Sequence, residues 1–247
     1  MSDELMLGLR VYKKIHRADD QTLARLRSAS VGEVSDVLHG MGVMDAGIQG
    51  IYAPMDRLFG SALTADVSPG DGFLMRPAID VAQPGDVLIV NSHGATARAV
   101  IGGGVGVQMV HRGIKGMIVD GAVRDVAEFV ALKLPVMARA VSPRSGTSRE
   151  GWGEVNVPIA CGGVVVNPGD VIIGDPEGVV VVPRARAAAV ADALGKMGHS
   201  PYQPEKILAK LASIAPGSAP QWREKVDKSL AERGATIIDG YYDDGLR

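Results

Sequence analysis

The stretch "GIKGMIVDGAVRDVAEFVALKLPVMARAV", residues 113–141, constrains the fold more than any other part of the chain. An aliphatic run stops on small and charged residues, and the helical pattern of "RDVAEFVALK" follows. Asp125 near the start of that helix complements its dipole, and Pro135 introduces a second aliphatic run, "LPVMARAV". Strand, turn, helix and strand in that order make a crossover unit. The first strand ends beside Asp120, Arg124 and Asp125, an unusual set of charges for the edge of a buried run.

The flanks extend this pattern. From 48 to 140, short aliphatic runs bounded by Gly, Pro and Asp, such as "LFGSALTADV" and "GDVLIVNSHG", read as strands. Between two of them, "ATARAVIGGGVGVQMVHRG" predicts a loop and then a helix, with Ala99, Val100, Val107 and Val110 on one face. Upstream, residues 20–40 predict two short helices ending at Gly40. Ser30 is placed to cap the second helix, with Glu33 as its capping-box partner. The phrases "PGDVLIV" and "PGDVIIG" pair a Pro-Gly turn with an apolar strand, as two similar turns. After "DPEGVVVVPRARAAAVADAL", a strand running into a helix, residues 197–222 predict an insertion rich in Gly, Pro and Ser, with one amphipathic patch, "PEKILAKLASI". A last helix is expected over 222–234, and the whole of 1–247 is expected to be one domain.

Composition narrows the function. The 26 basic and 28 acidic side chains nearly balance, so no overall field recruits nucleic acid or an anionic membrane, and a small-molecule partner is expected. No apolar run reaches the ~20 residues that span a bilayer, and the N-terminus lacks a signal-peptide core. The lone Cys161, behind "VPIA", reads as a buried inert thiol; a reducing, cytoplasmic setting is expected. The five histidines show no zinc-binding spacing, which leaves an oxygen-rich magnesium or manganese site open. No GxSxG elbow is present, and "IGGGVG" matches neither a P-loop nor a Rossmann fingerprint. That cluster is either an anion site at a helix start or a tight turn. Arg124 and Asp125 either face a cleft together or form surface salt bridges with other residues.

The phrases "GDVLIV", "GGGVGVQMVHRGIKGMIVDGAVRD", "LPVMARA" and "GEVNVPIACGGVVVNPGDVIIGDPEGVVVVP", in that order, carry a family likeness. The chain resembles the RraA-like family of 4-hydroxy-4-methyl-2-oxoglutarate/4-carboxy-4-hydroxy-2-oxoadipate aldolases and the regulator of ribonuclease activity A. The likeness runs from about residue 22 to 190, with a looser match near 222–241.

The resemblance implies an α/β fold, a swivelling β/β/α sandwich with N-terminal and C-terminal helices. It also implies a trimer or dimer of trimers with active sites between subunits. It assigns Asp125 as ligand to Mg²⁺ or Mn²⁺, Arg124 as the contact of the pyruvoyl oxygen, and the Gly104 and Val105 amides as the cradle for the pyruvoyl carboxylate. Glu224 is the match for a glutamate contributed from a neighbour's C-terminal helix. The implied activity is metal-dependent lyase chemistry on a 2-oxo acid through a metal-stabilised enolate, by retro-aldol cleavage releasing pyruvate or by oxaloacetate-type decarboxylation. The rival reading is a non-catalytic regulator that binds another protein. One departure stands out: the aldolases commonly carry an acid twenty-one positions before the arginine, and here that position is Gly103. Asp120 and Glu128 are the nearby acids that could assist Asp125.

Overall fold

A computed structural model describes residues 8–147, 152–198, 208–209, 211–215 and 223–235. The chain forms two compact units, 1–202 and 203–247. In the first, strand β1 (Arg10–Val11) precedes helices α1 (Asp20–Leu26) and α2 (Val31–Val37), then β2 (Gln49–Gly50). Next come β3 (Leu58–Val67), α3 (Met75–Val81), β4 (Asp86–Ile101), α4 (Gly103–His111), β5 (Met117–Val123), α5 (Val126–Leu132) and β6 (Val136–Val141). Short strands β7 (Gly153–Val155), β8 (Ile159–Cys161) and β9 (Val164–Val166) follow, then β10 (Val171–Asp175), β11 (Gly178–Val182) and α6 (Ala187–Lys196). The second unit contains helix α7 (Arg223–Glu232), whose described side chains leave none buried.

Strands β3, β4, β5 and β6 pair in parallel, in sequence order. Helices α3, α4 and α5 make the three crossovers. Antiparallel partners extend the mixed sheet, with β7 and β10 on β3, β11 on β10, and β2 on β6, and β1 pairs in parallel with β7 at one edge. The parallel strands read as unbroken aliphatic runs because both faces are covered. Leu88 and Val90 of β4 face one cluster with Met117 and Val119 of β5, beneath α3, α4 and α5. Val87, Ile89 and Ile118 face the opposite cluster with Ile159, Cys161 and Val166 of the β8–β9 hairpin. A third cluster joins α1, α2 and α6 to β10 and β11.

Local expectations fared unevenly. The capping box of Ser30 and Glu33 forms, and both N-terminal helices are present. The two Pro-Gly-Asp phrases also do the same work. Gly85 and Gly169 take positive φ (98° and 87°), and each aspartate is buried. Asp86 accepts from Arg17 and the Gln83 amide; Asp170 accepts from the Asn167 and Arg184 amides.

Two expectations are corrected. Ala99 and Val100 belong to β4, which runs on to Ile101 and pairs with the end of β5 through register shifts. Helix α4 therefore starts only after Gly102, and Val107 and Val110 point outward. The packed face is the small one. A Cβ on Gly106 would lie 2.9 Å from Cε1 of Phe129, so the missing side chain lets α4 close onto α5. Helix α3 lies within the stretch expected to be strand-rich, and Met75, Ala78 and Ile79 form its buried face. Seven residues with a proline at the third position carry little intrinsic helical signal, and packing decides the conformation.

Among the described residues, no helix is long and apolar enough to cross a membrane. Cys161 is fully buried, and burial pushes its thiol pKa well up, so it is held as an unreactive thiol.

Candidate active site

The chain leaves β5 at Val123 and immediately presents Arg124 and Asp125. The Arg124 amide donates to the Ile101 carbonyl (3.1 Å), which ties the end of β5 to the end of β4. Asp125 is left-handed (φ 60°, ψ 43°), a conformation that costs a non-glycine residue about 1–2 kcal/mol. The consequence is a change of aim. Its carboxylate does not cap its own helix; instead Oδ2 accepts the Gly103 N–H at the start of α4 (3.2 Å). Arg124 Nε stands 3.4 Å from the same oxygen, and both side chains are partly exposed. The two residues thus pair loosely with each other while lining one small cavity. Asp125 Oδ1 has no partner among the described residues.

The glycine cluster shapes the floor. A Cβ on Gly102 would lie 2.3 Å from Asp125 Oδ2 and 3.1 Å from Arg124 Cγ. A Cβ on Gly103 would lie 1.9 Å from Glu128 Oε2 and 2.4 Å from Glu128 Cβ. Gly103 is thus required by space; its φ lies outside the left-handed region. The space beside Gly103 is filled by the side chain of Glu128, in the first turn of α5. The carboxylates of Asp125 and Glu128 lie against two successive glycines.

The amides at this helix start differ. Gly103 donates to Asp125, and Val105 donates to the Gly102 carbonyl (3.0 Å). The Gly104 amide has no partner among the described residues, and a Cβ there would meet nothing within 4 Å. Val105 lines the cleft and packs in part against the core beneath it.

Asp120 is not part of this group. It sits within β5, is buried, and accepts from Arg139 and from the Gly162 amide (2.7 Å). Asp120 thus fastens the β8–β9 turn to the sheet, and Arg139, on the neighbouring β6, also reaches Asp45 (3.0 Å). Glu224 lies exposed in the first turn of α7, in the second unit.

Two cavities meet at this point. The smaller, about 220 Å³, is lined by Arg76, Gly102, Gly104, Val105, Gln108, Arg124 and Asp125. The larger, about 490 Å³, shares Arg76, Gly102, Val105 and Arg124, and extends past Gly72, Phe73 and Ala99 to Ser145–Thr147. Sequence reasoning missed Arg76. Once packing makes α3 a helix, burial of Met75, Ala78 and Ile79 turns Arg76 outward, a direction that the short stretch does not show by itself.

The donor chemistry suits a hard divalent cation. Asp125 and Glu128 offer oxygen only, and Mg²⁺ characteristically takes one or two carboxylates and keeps water as its other ligands. Among the described residues, no three His, Cys, Asp or Glu side chains converge to make an all-protein cage.

Comparison with known proteins shows the family of the chain. A protein of Halalkalibacterium halodurans, provisionally named a 4-hydroxy-4-methyl-2-oxoglutarate aldolase, is 34% identical over 69% of this chain and 80% of its own length. The 4-hydroxy-4-methyl-2-oxoglutarate aldolase of Thermus thermophilus is 34% identical over 46% of this chain and 69% of its own. Among solved structures, Streptomyces coelicolor RraAS2, described as an unusual member of the RNase ES inhibitor RraA protein family, superposes with a TM-score of 0.67. It covers 79% of this chain and all of its own at 24% identity, a likeness of fold. The family model described as RraA-like, Aldolase/RraA, matches residues 31–181, from α2 to β11 and across the whole cleft. The chain belongs to the RraA-like family.

Proposed function

We propose that this chain is a divalent-metal-dependent carbon–carbon lyase acting on a 2-oxo acid, by retro-aldol release of pyruvate or by oxaloacetate-type decarboxylation. The aldolase names of its relatives support lyase chemistry. The observation that carries the reading is the convergence of the Arg124 guanidinium, the Asp125 carboxylate and the open Gly104 amide on one small cavity.

The pyruvoyl carboxylate is received by the Gly104 N–H at the start of the nine-residue helix α4, where the helix dipole favours an anion. The side chain of Val105 forms an apolar wall beside it. Arg124 donates to the 2-oxo oxygen. That interaction strengthens as the carbon–carbon bond breaks and negative charge collects on the oxygen of the enolate, which is the condition for it to accelerate the reaction. Asp125, with its free Oδ1, would hold Mg²⁺ or Mn²⁺, with Glu128 the second carboxylate at hand. When bound, such an ion supplies Lewis-acid stabilisation of the same developing charge. Glu224 of a neighbouring copy in a trimer or dimer of trimers completes the proposed site.

Pyruvate release from 4-hydroxy-4-methyl-2-oxoglutarate and from oxaloacetate, measured with and without chelator, tests the proposal. Activity is expected to vanish in excess EDTA and to return with Mg²⁺ or Mn²⁺. Full activity in chelator would exclude the metal. Inertness on every 2-oxo acid with metal present would favour the non-catalytic regulator.

A further inference from the structure

Among the described residues, Arg76 is the one charged residue of the cleft that neither the family resemblance nor the proposed chemistry uses. It lines both cavities, as Arg124 does, so two guanidinium groups share one continuous cleft. Arg76 has no hydrogen-bond or ion-pair partner among the described residues. Other arginines of this unit are engaged: Arg17 by Asp86, Arg25 by Asp192, Arg139 by Asp45 and Asp120. Among the described residues, no acidic side chain lines the 490 Å³ cavity. Asp125 lines the smaller cavity, so it is on the side of the larger one that the unpaired cation is suited to an anionic ligand.

The surroundings are built rather than loose. Met75, Ala78 and Ile79 are buried and fix α3, and with it the backbone that carries Arg76. Across the cavity, Thr147 donates through Oγ1 to the buried Asp71 (2.8 Å) and through its amide to Gly70 O (2.9 Å). The Ser145 carbonyl accepts from Arg98 (3.0 Å). The far wall is therefore anchored before any ligand arrives.

We infer that Arg76 binds a second, distal carboxylate of the substrate, whose 2-oxo end sits at Arg124 and Gly104. The planar guanidinium fork matches a carboxylate with two parallel hydrogen bonds. The preferred substrates are then 2-oxo acids that extend beyond pyruvate and end in a carboxylate, and the larger cavity holds the fragment that leaves. This assignment rests on the proposed 2-oxo acid site and names its specificity group.

The test is a comparison of two ligands, pyruvate and 2-oxoglutarate, titrated by NMR against the full chain in Mg²⁺, as wild type, Arg76→Gln and Arg76→Lys. In Arg76→Gln the ratio of 2-oxoglutarate affinity to pyruvate affinity is expected to fall about 10–100-fold, the scale of losing a charge-assisted pair. Arg76→Lys should recover part of that ratio, because the charge remains. An unchanged ratio in Arg76→Gln, or equal weakening of both ligands, overturns the distal subsite while leaving the 2-oxo acid site standing. If wild type binds neither ligand, the 2-oxo acid site itself fails, and the subsite with it.

Discussion

Replacing Gly103 by alanine isolates the reason for the glycine at the start of α4. The added Cβ would lie 1.9 Å from Glu128 Oε2, 2.5 Å from Cδ and 2.4 Å from Cβ. Rotating Glu128 about χ1 removes the first two overlaps but not the third, because Cβ is fixed by the α5 backbone. Helix α5 must therefore shift away from α4, against packing that includes the fully buried Phe129. Overpacking of this kind costs about 1–3 kcal/mol. At about 2–4 °C per kcal/mol for a chain of this size, Tm should fall by roughly 2–12 °C. The neighbour supplies the control: a Cβ on Gly104 meets nothing within 4 Å, and its φ is not positive. Gly104→Ala should keep or raise stability by up to about 1 kcal/mol, through the lower entropy of the unfolded chain. Calorimetry on the two variants decides the matter. Equal melting temperatures would refute the claim that Glu128 occupies the space over Gly103. Gly103→Asp should be at least as destabilised as Gly103→Ala, because it adds a second carboxylate beside Glu128, so restoring the acid should not raise turnover.

Two further outcomes test the proposed chemistry. Arg124→Lys keeps the charge but loses the two-pronged planar donor, and kcat for pyruvate release should drop by ~10²-fold or more, as on removing an oxyanion donor; an unchanged rate removes Arg124 from the reaction. Deleting residues 222–247, which include Glu224, should lower turnover in a protein that light scattering finds as a trimer or hexamer. A fully active monomer would exclude a shared site.

The order of elements was legible in the sequence wherever patterning is local. The aliphatic runs marked the parallel strands because strands covered on both faces need no polar alternation. Ser30 and Glu33 marked a helix start because a capping box is closed within four residues. Arg124 and Asp125 could be singled out because charges at the end of a buried run are unusual. What those side chains do was decided only by residues distant in sequence. Asp125 is held left-handed and turned toward Gly103, twenty-two positions away. Asp120, five residues before it, is drawn instead to Arg139 on the neighbouring strand and to Gly162 in the β8–β9 turn. The reason for a glycine at 103 lies in Glu128, whose side chain occupies the space that a Cβ there would need. Arg76 was invisible as a site residue because the seven residues of α3 are helical only by virtue of the core beneath them. Local hydrogen bonds and hydrophobic period fix which elements form, whereas side-chain direction across a cleft depends on how those elements pack, and that information lies in contacts between segments far apart along the chain.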